Sequence, residues 1–570
     1  MIHAHHDVDV LIVGAGPVGL TLALALHRYG VTYRLVDKKD GPELYTKAGN
    51  LWNRTQEVFL ALGVLNELKR DSLEYTTLML HAYGRRIGTF TLADAPSPCK
   101  RVIQVGQNCV EARLAAHLTG LGHGPEYGTQ ALDIQAGEDQ VSATLHTAQG
   151  SQTVRARYLV GTDGAGGSVR RQLGLRTNAV PLTGKSMRQC DAKLTWQRSG
   201  DTDVLWFFLF DTGFCSVLPM PGGEHRIWFI QDEQDVPDRA PTLDELQSAL
   251  RDVAGDPTVT LSDPTWLDHQ RQFRTGIAPT FRSGRVLLAG DAGHVALPIG
   301  GQGMNTGVQD AFNLAWKLAS VIRGHGPDAL LDSYAVERHG VRSGLLKDQK
   351  AGFQRLTDPG ELQQILVRTV GPIVARRGSR GNLVTLGRRD QAMLDIAYPD
   401  SPLSVHHEAG RVRAGERAPD ALVVDMPEGR TSSVFHTLYD LDADADGASS
   451  APRWTLLLFD GGEVRTHSAL RQAVQDVRDL SAGLTIRPVV SAGAAHWAAS
   501  GAPLLLDLDG FAHEAYGASG ACAYLVRPDG HVAWCGSVER TTDLLAYLRR
   551  WHRSPLTVGA TSDASRAVGT

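Results

Sequence analysis

Glycines near the start of the chain are spaced so that they could bind a phosphate group. Gly14, Gly16 and Gly19 follow a short apolar, β-branched run and precede a helical pattern. Glycines at this spacing allow a tight turn and let a pyrophosphate approach the backbone at the helix N-terminus. Asp37 ends the next predicted strand, about where an acidic side chain accepts hydrogen bonds from an adenosine ribose. The segment predicts a dinucleotide site but does not decide which dinucleotide binds.

Two later stretches each combine a predicted strand with an aspartate and a glycine-rich turn. The first reads YLVGTDG, at residues 158–164. The second reads RVLLAGDAGH, at residues 285–294, and continues as PIGGQGMN at residues 298–305, directly before a long helical pattern. The first stretch alone could be an ordinary strand-turn-helix corner. The second is long enough to discriminate between families.

Together the three stretches resemble the flavin site of the FAD-dependent aromatic hydroxylases, single-component monooxygenases that include p-hydroxybenzoate hydroxylase-like and polyketide hydroxylases. The resemblance is strong over residues 7–350. It implies FAD as the bound cofactor, NADPH or NADH as a transient co-substrate, and O2 as the oxidant. It also implies a set of cofactor-binding residues: Gly14, Gly16, Pro17, Val18, Gly19, Asp37, Lys38, Lys47, Gln107, Thr162, Asp163, Gly290, Asp291, Pro298, Gly301, Gly303, Met304 and Asn305.

The second stretch has a direct physical interpretation as a flavin site. Asp291, at the end of its strand, can accept hydrogen bonds from the ribityl hydroxyls. The loop that follows and the helix N-terminus near Asn305 can bring backbone N–H groups to the pyrimidine edge of the ring. There the positive end of the helix dipole stabilises the negative charge of a reduced flavin. The loop with Pro298 and Gly301 would then form one wall of the oxygen-transfer cavity.

Two smaller segments agree with this resemblance. Lys47 occupies the place where the family usually has an arginine that contacts FAD, and lysine keeps the charge but loses the planar fork. Gln107 begins QNCVEARL, which is similar to a family segment whose glutamine reaches the flavin. In that segment Val110 replaces the usual leucine, which we expect to be harmless.

The elements needed to position these residues can also be predicted. Strands at residues 8–13 and 33–36 flank a helical pattern, and such β-α-β units build a parallel sheet. Aromatic, strand-like segments at 203–210, 213–218 and 225–231 indicate an antiparallel sheet beside the nucleotide domain. The fold class is therefore α/β: a Rossmann-type FAD-binding domain with an inserted antiparallel-sheet substrate domain.

The C-terminal part predicts a second α/β unit. Its strands and helices come in the order β-α-β and then β-β-α, which resembles a thioredoxin-like domain. The loop that would hold the redox pair of a thioredoxin reads Asp460-Gly461-Gly462 and has no cysteine. Dimerisation and a purely stabilising role are both open for this domain. The predicted limits are 1–180 and 270–400 for the FAD-binding domain with its helical extension, 181–269 for the substrate sheet, 410–553 for the thioredoxin-like domain, and 554–570 for a flexible tail.

Aromatic side chains on the predicted antiparallel sheet are candidates for the substrate wall. Trp206, Phe208 and Phe210 alternate along one strand and therefore share one face, and Trp228 lies on a nearby strand. A face turned toward the flavin would suit a flat aromatic or polycyclic substrate. The alternative, which stays open, is that these aromatic residues form the core of the sheet.

The sequence names no general base. His225, His294 and Arg188 are candidates by their location alone, and a single histidine is more often structural. No metal site is predicted.

Composition excludes several other classes of protein. The net charge of −5 gives no reason to expect a nucleic-acid or anionic-membrane partner. No apolar run approaches the roughly 20 residues that span a bilayer. The six cysteines are scattered, without a C-x-x-C pair, as expected for reduced thiols in the cytoplasm. We expect a cytoplasmic enzyme, with a homodimer as one possible assembly.

Three hypotheses for the function follow. The first is a monooxygenase that hydroxylates an aromatic or polyketide-type substrate through a flavin hydroperoxide. The second uses the same fold for Baeyer–Villiger insertion or epoxidation. The third is a flavin- or ligand-binding protein that does not oxygenate.

Overall fold

The computed structural model describes residues 6–92, 94–198, 200–297, 300–357, 392–441, 451–478, 483–491 and 503–552. Pro298 and the predicted tail at 554–570 lie outside the described residues.

The strands fall into one seven-stranded sheet with a parallel centre, two eight-stranded mixed sheets and a small three-stranded sheet. In chain order they are β1 (Val8–Val13), β2 (Tyr33–Val36), β3 (Asn50–Leu51), β4 (Leu73–Glu74), β5 (Thr77–Ala82), β6 (Arg85–Thr91), β7 (Ile103–Gln104), β8 (Gln130–Ala136), β9 (Val141–Thr147), β10 (Gly150–Gly161), β11 (Val180–Thr195), β12 (Val204–Phe210), β13 (Gly213–Pro219), β14 (Glu224–Asp232), β15 (Thr260–Ile277), β16 (Arg282–Ser283), β17 (Val286–Leu288), β18 (His294–Val295), β19 (Val405–His406), β20 (Leu422–Met426), β21 (Arg430–Ser433), β22 (Trp454–Phe459), β23 (Leu484–Ser491), β24 (Leu504–Asp507), β25 (Cys522–Val526) and β26 (Val532–Ser537).

The helices lie between these strands. In the described part of the chain they are α1 (Pro17–Arg28), α2 (Asn53–Ala61), α3 (Leu65–Arg70), α4 (Gln107–Gly120), α5 (Ser168–Gln172), α6 (Leu243–Ala254), α7 (Gln302–Ile322), α8 (Ala329–Thr357), α9 (Val434–Tyr439), α10 (His467–Arg478), α11 (Phe511–Tyr516) and α12 (Thr541–Trp551). None of these helices combines the length and apolar character needed to cross a bilayer.

The first sheet brings the three glycine-rich stretches together. Its order is β16-β17-β10-β1-β2, and β10 is parallel to both β1 and β17. Val13 pairs with Gly161, which in turn pairs with Leu288, so all three strands end at the same edge. Because ligands of open parallel sheets bind outside the carboxyl ends of the strands, this edge is the expected nucleotide site.

The second sheet has two different faces. Its order is β18-β15-β11-β14-β13-β12-β5-β6. Alternate side chains from its central strands pack under α6, which begins with a capping box between Thr242 and Glu245. The side chains between them form the opposite face, which includes Phe214 and Ile230. Strands β5, β6 and β18 belong to this sheet, although they lie outside the predicted limits of 181–269, which stay a prediction.

The third sheet forms the C-terminal α/β domain, in the order β19-β26-β25-β22-β23-β24-β20-β21. Strand β22 is fully buried and pairs in parallel with β23 and antiparallel to β25. Helices α10 and α12 pack against it through Leu470 and Leu548. The predicted strands and helices occur in the predicted order, but β24 and α11, which were not predicted, stand between the two halves. The predicted α/β fold class is confirmed.

A buried ionic cluster joins the C-terminal domain to the part of the chain that contains the first sheet. Glu337 on α8 pairs with Arg527 at 2.7 Å and with Lys317 on α7 at 2.7 Å. Asp529 accepts a hydrogen bond from Asn313 at 2.9 Å and also pairs with Arg527. The charged side chains of this cluster are at most 1% exposed. Unpaired charges would be very costly at this burial, so the cluster ties the two parts together.

Candidate active site

A cleft of about 660 Å³ lies at the carboxyl edge of the parallel sheet. One end is formed by the three glycine-rich turns, and the other by the Trp228 face of the second sheet. The volume falls within the range of roughly 300–1,000 Å³ that is typical of small-molecule and cofactor sites.

Glycines shape the turn after β1 in two ways. Gly14 has φ +110°, and a Cβ on it would lie 2.5 Å from the carbonyl oxygen of Thr162. A Cβ on Gly19 would lie 1.9 Å from the carbonyl oxygen of Gly14, so α1 can approach the turn only without a side chain there. Gly16 is different, because the nearest atom to a Cβ would be 4.0 Å away. Its missing side chain leaves open space for a ligand.

The start of α1 can receive an anionic group. Gly16 is the N-cap residue, and no side chain caps the free N–H groups of the first turn. Asp37 holds this turn in place, since its carboxylate accepts hydrogen bonds from the backbone N–H of Ala15 at 2.7 Å and of Lys39 at 2.9 Å. A pyrophosphate at this helix end and a ribose beside Asp37 would match the arrangement.

The turn after β10 is braced by its own polar side chains. The hydroxyl of Thr162 donates to the carbonyl oxygen of Gly14 at 2.7 Å. Asp163 caps α5 by accepting hydrogen bonds from the backbone N–H of Ser168 and of Val169, at 2.5 and 2.9 Å. Burial raises the pKa of Asp163, and these N–H donors oppose the rise. Both residues line the cleft.

Two aspartates follow the strand β17, and only one of them reaches the cleft. Asp291 lines the cleft. Desolvation by the surrounding protein atoms raises the pKa of its carboxyl, and the positive charges of His294 and Arg342 oppose this rise. Asp310 is buried behind it and accepts hydrogen bonds from Arg338 and His294, both at 2.6 Å. Burial alone would raise the pKa of Asp310, but these partners hold it at about 2. Asp310 is therefore an ionised structural anchor, and Asp291 is the group available to a ligand.

The N-terminus of α7 forms the floor of the cleft. Gly301 is its N-cap residue, with φ +60°, and as a glycine it has no side chain that could cap the first N–H groups. Asn305 is fully buried and points away: its amide donates to the carbonyl oxygen of Asn50 and accepts from the N–H of Trp52. Asn305 therefore fixes the helix start, while Gly303 and other residues of the first turn line the cleft.

Lys47 and Gln107 lie at the rim, within a polar cluster. Lys47 pairs with Glu43 at 2.6 Å and is 57% exposed, and Lys39 pairs with the same carboxylate. Burial would raise the pKa of Glu43, but the two lysines lower it to about 2. Gln107 donates to Glu111 at 2.9 Å. Lys47 can turn to a phosphate only by leaving Glu43.

Most of the predicted cofactor-binding residues meet in the cleft. Those that line it are Gly14, Gly16, Pro17, Val18, Asp37, Lys38, Lys47, Gln107, Thr162, Asp163, Asp291, Gly301, Gly303 and Met304. Gly19, Gly290 and Asn305 shape its walls from behind; a Cβ on Gly290, for example, would lie 2.8 Å from Val18. The assignment of these residues to FAD stays a prediction.

Among the predicted substrate residues, only Trp228 lines the cleft. It packs edge-to-face on Phe214, with the ring centroids 5.4 Å apart. Trp206 and Phe208 do share a face, but they are buried under α6, and Phe210 packs against the same cluster. The structure therefore favours the alternative in which these three aromatic residues form the sheet core. The face toward the cleft is that of Phe207, because alternate residues of β12 point to opposite sides.

The three base candidates do not line the described cleft. His225 and Arg188 alternate with Trp228 and Gln189, so they project from the opposite face of the sheet. Burial lowers the pKa of His225 to about 4. His294 is fully buried against Asp310.

Several cleft residues were not predicted from the sequence. Met187, Gln189, Leu218, Arg226 and Leu297 line the substrate end. Arg226 is already paired with Asp191 at 2.7 Å, so it brings no uncompensated charge. Strand alternation would have grouped Gln189 with Met187, but only packing shows which face meets the cofactor end. Asn50 and Gln104, from two very short strands, also line the cleft and gave no sequence signal.

Comparison with known proteins agrees with this geometry. The profile of the FAD binding domain family matches residues 7–348. The chain is 32% identical over 561 residues to 6-methylpretetramide 4-monooxygenase of Streptomyces rimosus, which covers 96% of this chain and 94% of that protein. The chain is a flavin-dependent monooxygenase of the aromatic-hydroxylase family. The predicted family, fold class and cofactor FAD are thereby confirmed, and NAD(P)H is typical of the family.

Two further relatives define the range of this family. The structure of aklavinone-11 hydroxylase, in a ternary complex with FAD and aklavinone, has a TM-score of 0.73 at 26% identity and covers 96% of this flavoprotein and 99% of that chain. Dialkyldecalin synthase of Streptomyces rugosporus is 33% identical over 377 residues, which is 64% of this chain and 76% of that protein.

Proposed function

We propose that this monooxygenase hydroxylates a polycyclic aromatic or polyketide-type substrate, using NADPH or NADH and O2. The observation that carries the proposal is the continuity of the cleft. Its cofactor end, with Asp291 and the start of α7, opens directly onto the face with Trp228. A flat substrate against that face would lie beside the cofactor. The relatives named for 6-methylpretetramide and aklavinone support the same substrate class.

The cofactor end fits FAD. The uncapped N-terminus of α1 would hold the pyrophosphate, Asp37 the ribose, and Asp291 the ribityl hydroxyls. The free N–H groups at the start of α7 would stabilise negative charge near the flavin ring. Bound FAD, once reduced by the nicotinamide co-substrate, supplies the oxygen-activating chemistry.

The protein orients the substrate and excludes water. Met187, Leu218, Trp228 and Leu297 form an apolar wall at the substrate end. Such a wall favours a planar ring over bulk water and keeps an activated oxygen from being lost to solvent. Arg226 is neutralised by Asp191, so this wall does not favour a strongly anionic substrate.

An aerobic oxidation assay tests the proposal. The purified FAD-loaded enzyme is given NADPH or NADH, with and without a panel of polycyclic phenols and quinones. We expect substrate-stimulated oxidation and a product that gains one oxygen atom from isotopically heavy O2. A new phenol supports hydroxylation, whereas an ester, lactone or epoxide identifies Baeyer–Villiger insertion or epoxidation. Oxidation that no compound stimulates contradicts the proposal.

One relative, dialkyldecalin synthase, is named as a synthase and not as a monooxygenase, although it is 33% identical to this chain. The mass of the product in the same assay therefore also tests whether this enzyme adds oxygen to its substrate.

A further inference from the structure

Two carboxamides lie side by side where the cofactor and substrate ends of the cleft meet. Asn50 on β3 and Gln104 on β7 are directly opposite each other in an antiparallel pair. Opposite residues of such a pair point to the same side of the sheet. Both side chains line the cleft.

The oxygens of both carboxamides are buried without a partner. Neither Oδ1 of Asn50 nor Oε1 of Gln104 has a hydrogen-bond partner among the described residues. Gln104 is only 1% exposed. Most buried polar atoms in proteins are hydrogen-bonded, and an unsatisfied one is destabilising. Two such oxygens in one cleft indicate that something outside the protein donates to them.

The orientation of the Gln104 amide follows from its neighbour. Its Nε2 lies 2.9 Å from the sulfur of Met220. A thioether is a weak acceptor and has no hydrogen to donate, so the nitrogen, and not the oxygen, belongs next to it. Oε1 is therefore the atom that is left free.

The surrounding backbone leaves room for these carboxamides. A Cβ on Gly49 would lie 2.4 Å from Nε2 of Gln104, so any other residue there would displace the amide. On the other side, Nδ2 of Asn50 would lie 3.2 Å from a Cβ on Gly301, at the start of α7. The pair thus extends from Gly301, at the start of α7, to Met220, which follows β13 of the second sheet.

We propose that Gln104 and Asn50 bind a ring hydroxyl of the substrate and hold it next to the cofactor. The inference rests on the proposed function and adds the group that is recognised: a neutral phenol or enol O–H. An amide oxygen accepts this hydrogen bond but does not remove the proton. It also repels a carboxylate and gains nothing from a methyl ether. The pair is a positioning and specificity site, with the ring oriented by its hydroxyl.

The test measures binding and requires no turnover. The FAD-loaded enzyme is titrated with a hydroxyanthraquinone that has a free hydroxyl, and with its methyl ether, while the flavin absorbance is followed. We expect wild type to prefer the hydroxyl compound and Gln104→Leu to lose about tenfold of that preference, as expected for one buried hydrogen bond. Gln104→Glu keeps an acceptor at the same place and should keep the preference.

Gln189→Leu is the matched control. The Gln189 amide also lines the cleft, but it already donates to Asp268 at 3.1 Å. Its loss should change the affinity for both compounds by the same factor. Flavin content and thermal unfolding are measured for every variant, so that misfolding is recognised.

Two results would overturn the inference. The first is a Gln104→Leu enzyme, folded and flavin-loaded, that keeps the full preference for the hydroxyl compound. The second is loss of FAD from Gln104→Leu, which would assign the free oxygens to the cofactor. Either result leaves substrate-stimulated NAD(P)H oxidation by wild type intact, so the proposed function is judged separately.

Discussion

At the scale of single residues, Asp291 and Asp310 show how the same side chain takes different tasks. The carboxylate of Asp310 accepts hydrogen bonds from the Gly290 N–H, from His294 and from Arg338, so this side chain is fixed within the protein. The carboxylate of Asp291 lines the cleft and takes part in none of these hydrogen bonds. The distinction depends on which neighbours the fold supplies, because both residues are aspartates near one turn.

We expect Asp291→Ala to weaken FAD binding about tenfold or more, because hydrogen bonds to a carboxylate contribute about 1.5–3 kcal/mol. Fluorescence titration of the apoenzyme with FAD measures the effect. Asp332→Ala is the control, since Asp332 is exposed and pairs with Arg282 away from the cleft. An Asp291→Ala enzyme that binds FAD with the affinity of wild type would contradict the assignment.

Two tryptophans of the second sheet form a matched pair for testing its faces. Trp228 lines the cleft, whereas Trp206 is buried under α6. We expect Trp228→Ala to raise KM while flavin content stays unchanged. Trp206→Ala should instead lower the free energy of unfolding by about 3–5 kcal/mol, as a core truncation. Steady-state kinetics and denaturant unfolding of both variants measure these effects. If Trp206→Ala raised KM and Trp228→Ala lowered the free energy of unfolding, the assignment of the two faces of the sheet would be wrong.

At the scale of elements, the C-terminal domain has a charged cluster where a thioredoxin would carry its redox pair. Asp460, directly after β22, accepts hydrogen bonds from His513 at 2.9 Å and His467 at 3.1 Å. The other ring nitrogen of His513 pairs with Asp507 at 2.8 Å. Burial would lower the pKa of His513, but the two carboxylates raise it to about 9. The cluster joins the ends of β22 and β24 to the start of α11.

This cluster should make stability depend on pH. Because the pKa of His513 is raised in the folded protein, its protonated ring stabilises the fold. This stabilisation is complete below the unfolded pKa of about 6.5 and is lost as the pH rises through the folded pKa of about 9. Asp460 has the opposite pH dependence, because its pKa is lowered to about 2 in the folded protein. Its ionised carboxylate stabilises the fold at higher pH, and this stabilisation is lost only as the pH falls through about 2. We expect His513→Asn to destabilise the protein by roughly 3 kcal/mol near pH 6.

Thermal unfolding of wild type and His513→Asn between pH 6 and 10 measures this dependence. The difference in Tm should shrink steadily between about pH 6.5 and pH 9, because over this range the unfolded chain has released the proton that folded His513 still holds. His406→Asn serves as a control in the same domain, since His406 is exposed. A difference in Tm that stays constant over this range would contradict the role of His513.

At the scale of the whole molecule, the buried ionic cluster connects the C-terminal domain to the residues behind the candidate site. Glu337 and Arg338 are neighbours on α8: the first binds Arg527, and the second binds Asp310 behind the cleft. One hydrophobic core also runs through both parts, from Val10 to Tyr524. These contacts favour a stabilising role over a role confined to dimerisation.

We expect Arg527→Met to destabilise the protein by about 3–5 kcal/mol, because it leaves buried carboxylates short of a partner. Flavin release and tryptophan fluorescence should report one shared transition at a lower temperature. Arg540→Met removes an exposed pair with Asp543 and should cost at most about 1 kcal/mol. Flavin release that is unchanged in Arg527→Met would show that the two parts are independent.

Local sequence was enough to predict most of the residues that meet at the glycine-rich end of the cleft. The strand ends that precede Gly14, Thr162 and Gly290 are apolar, and their functional turns follow within one or two residues. Strand, turn and helix start are encoded within a few residues, so their types and spacing predicted both the parallel sheet and its ligand edge.

The tertiary structure decided which side chains face the ligand. Periodicity put Trp206 and Phe208 on one side of β12, but an alternating strand has two sides, and only the packing of α6 settles which is covered. The sequence also could not predict that Asn50 pairs with Gln104 or that Glu337 pairs with Arg527. Both join residues far apart along the chain, and the energy of such contacts depends on the geometry and burial that the complete fold provides.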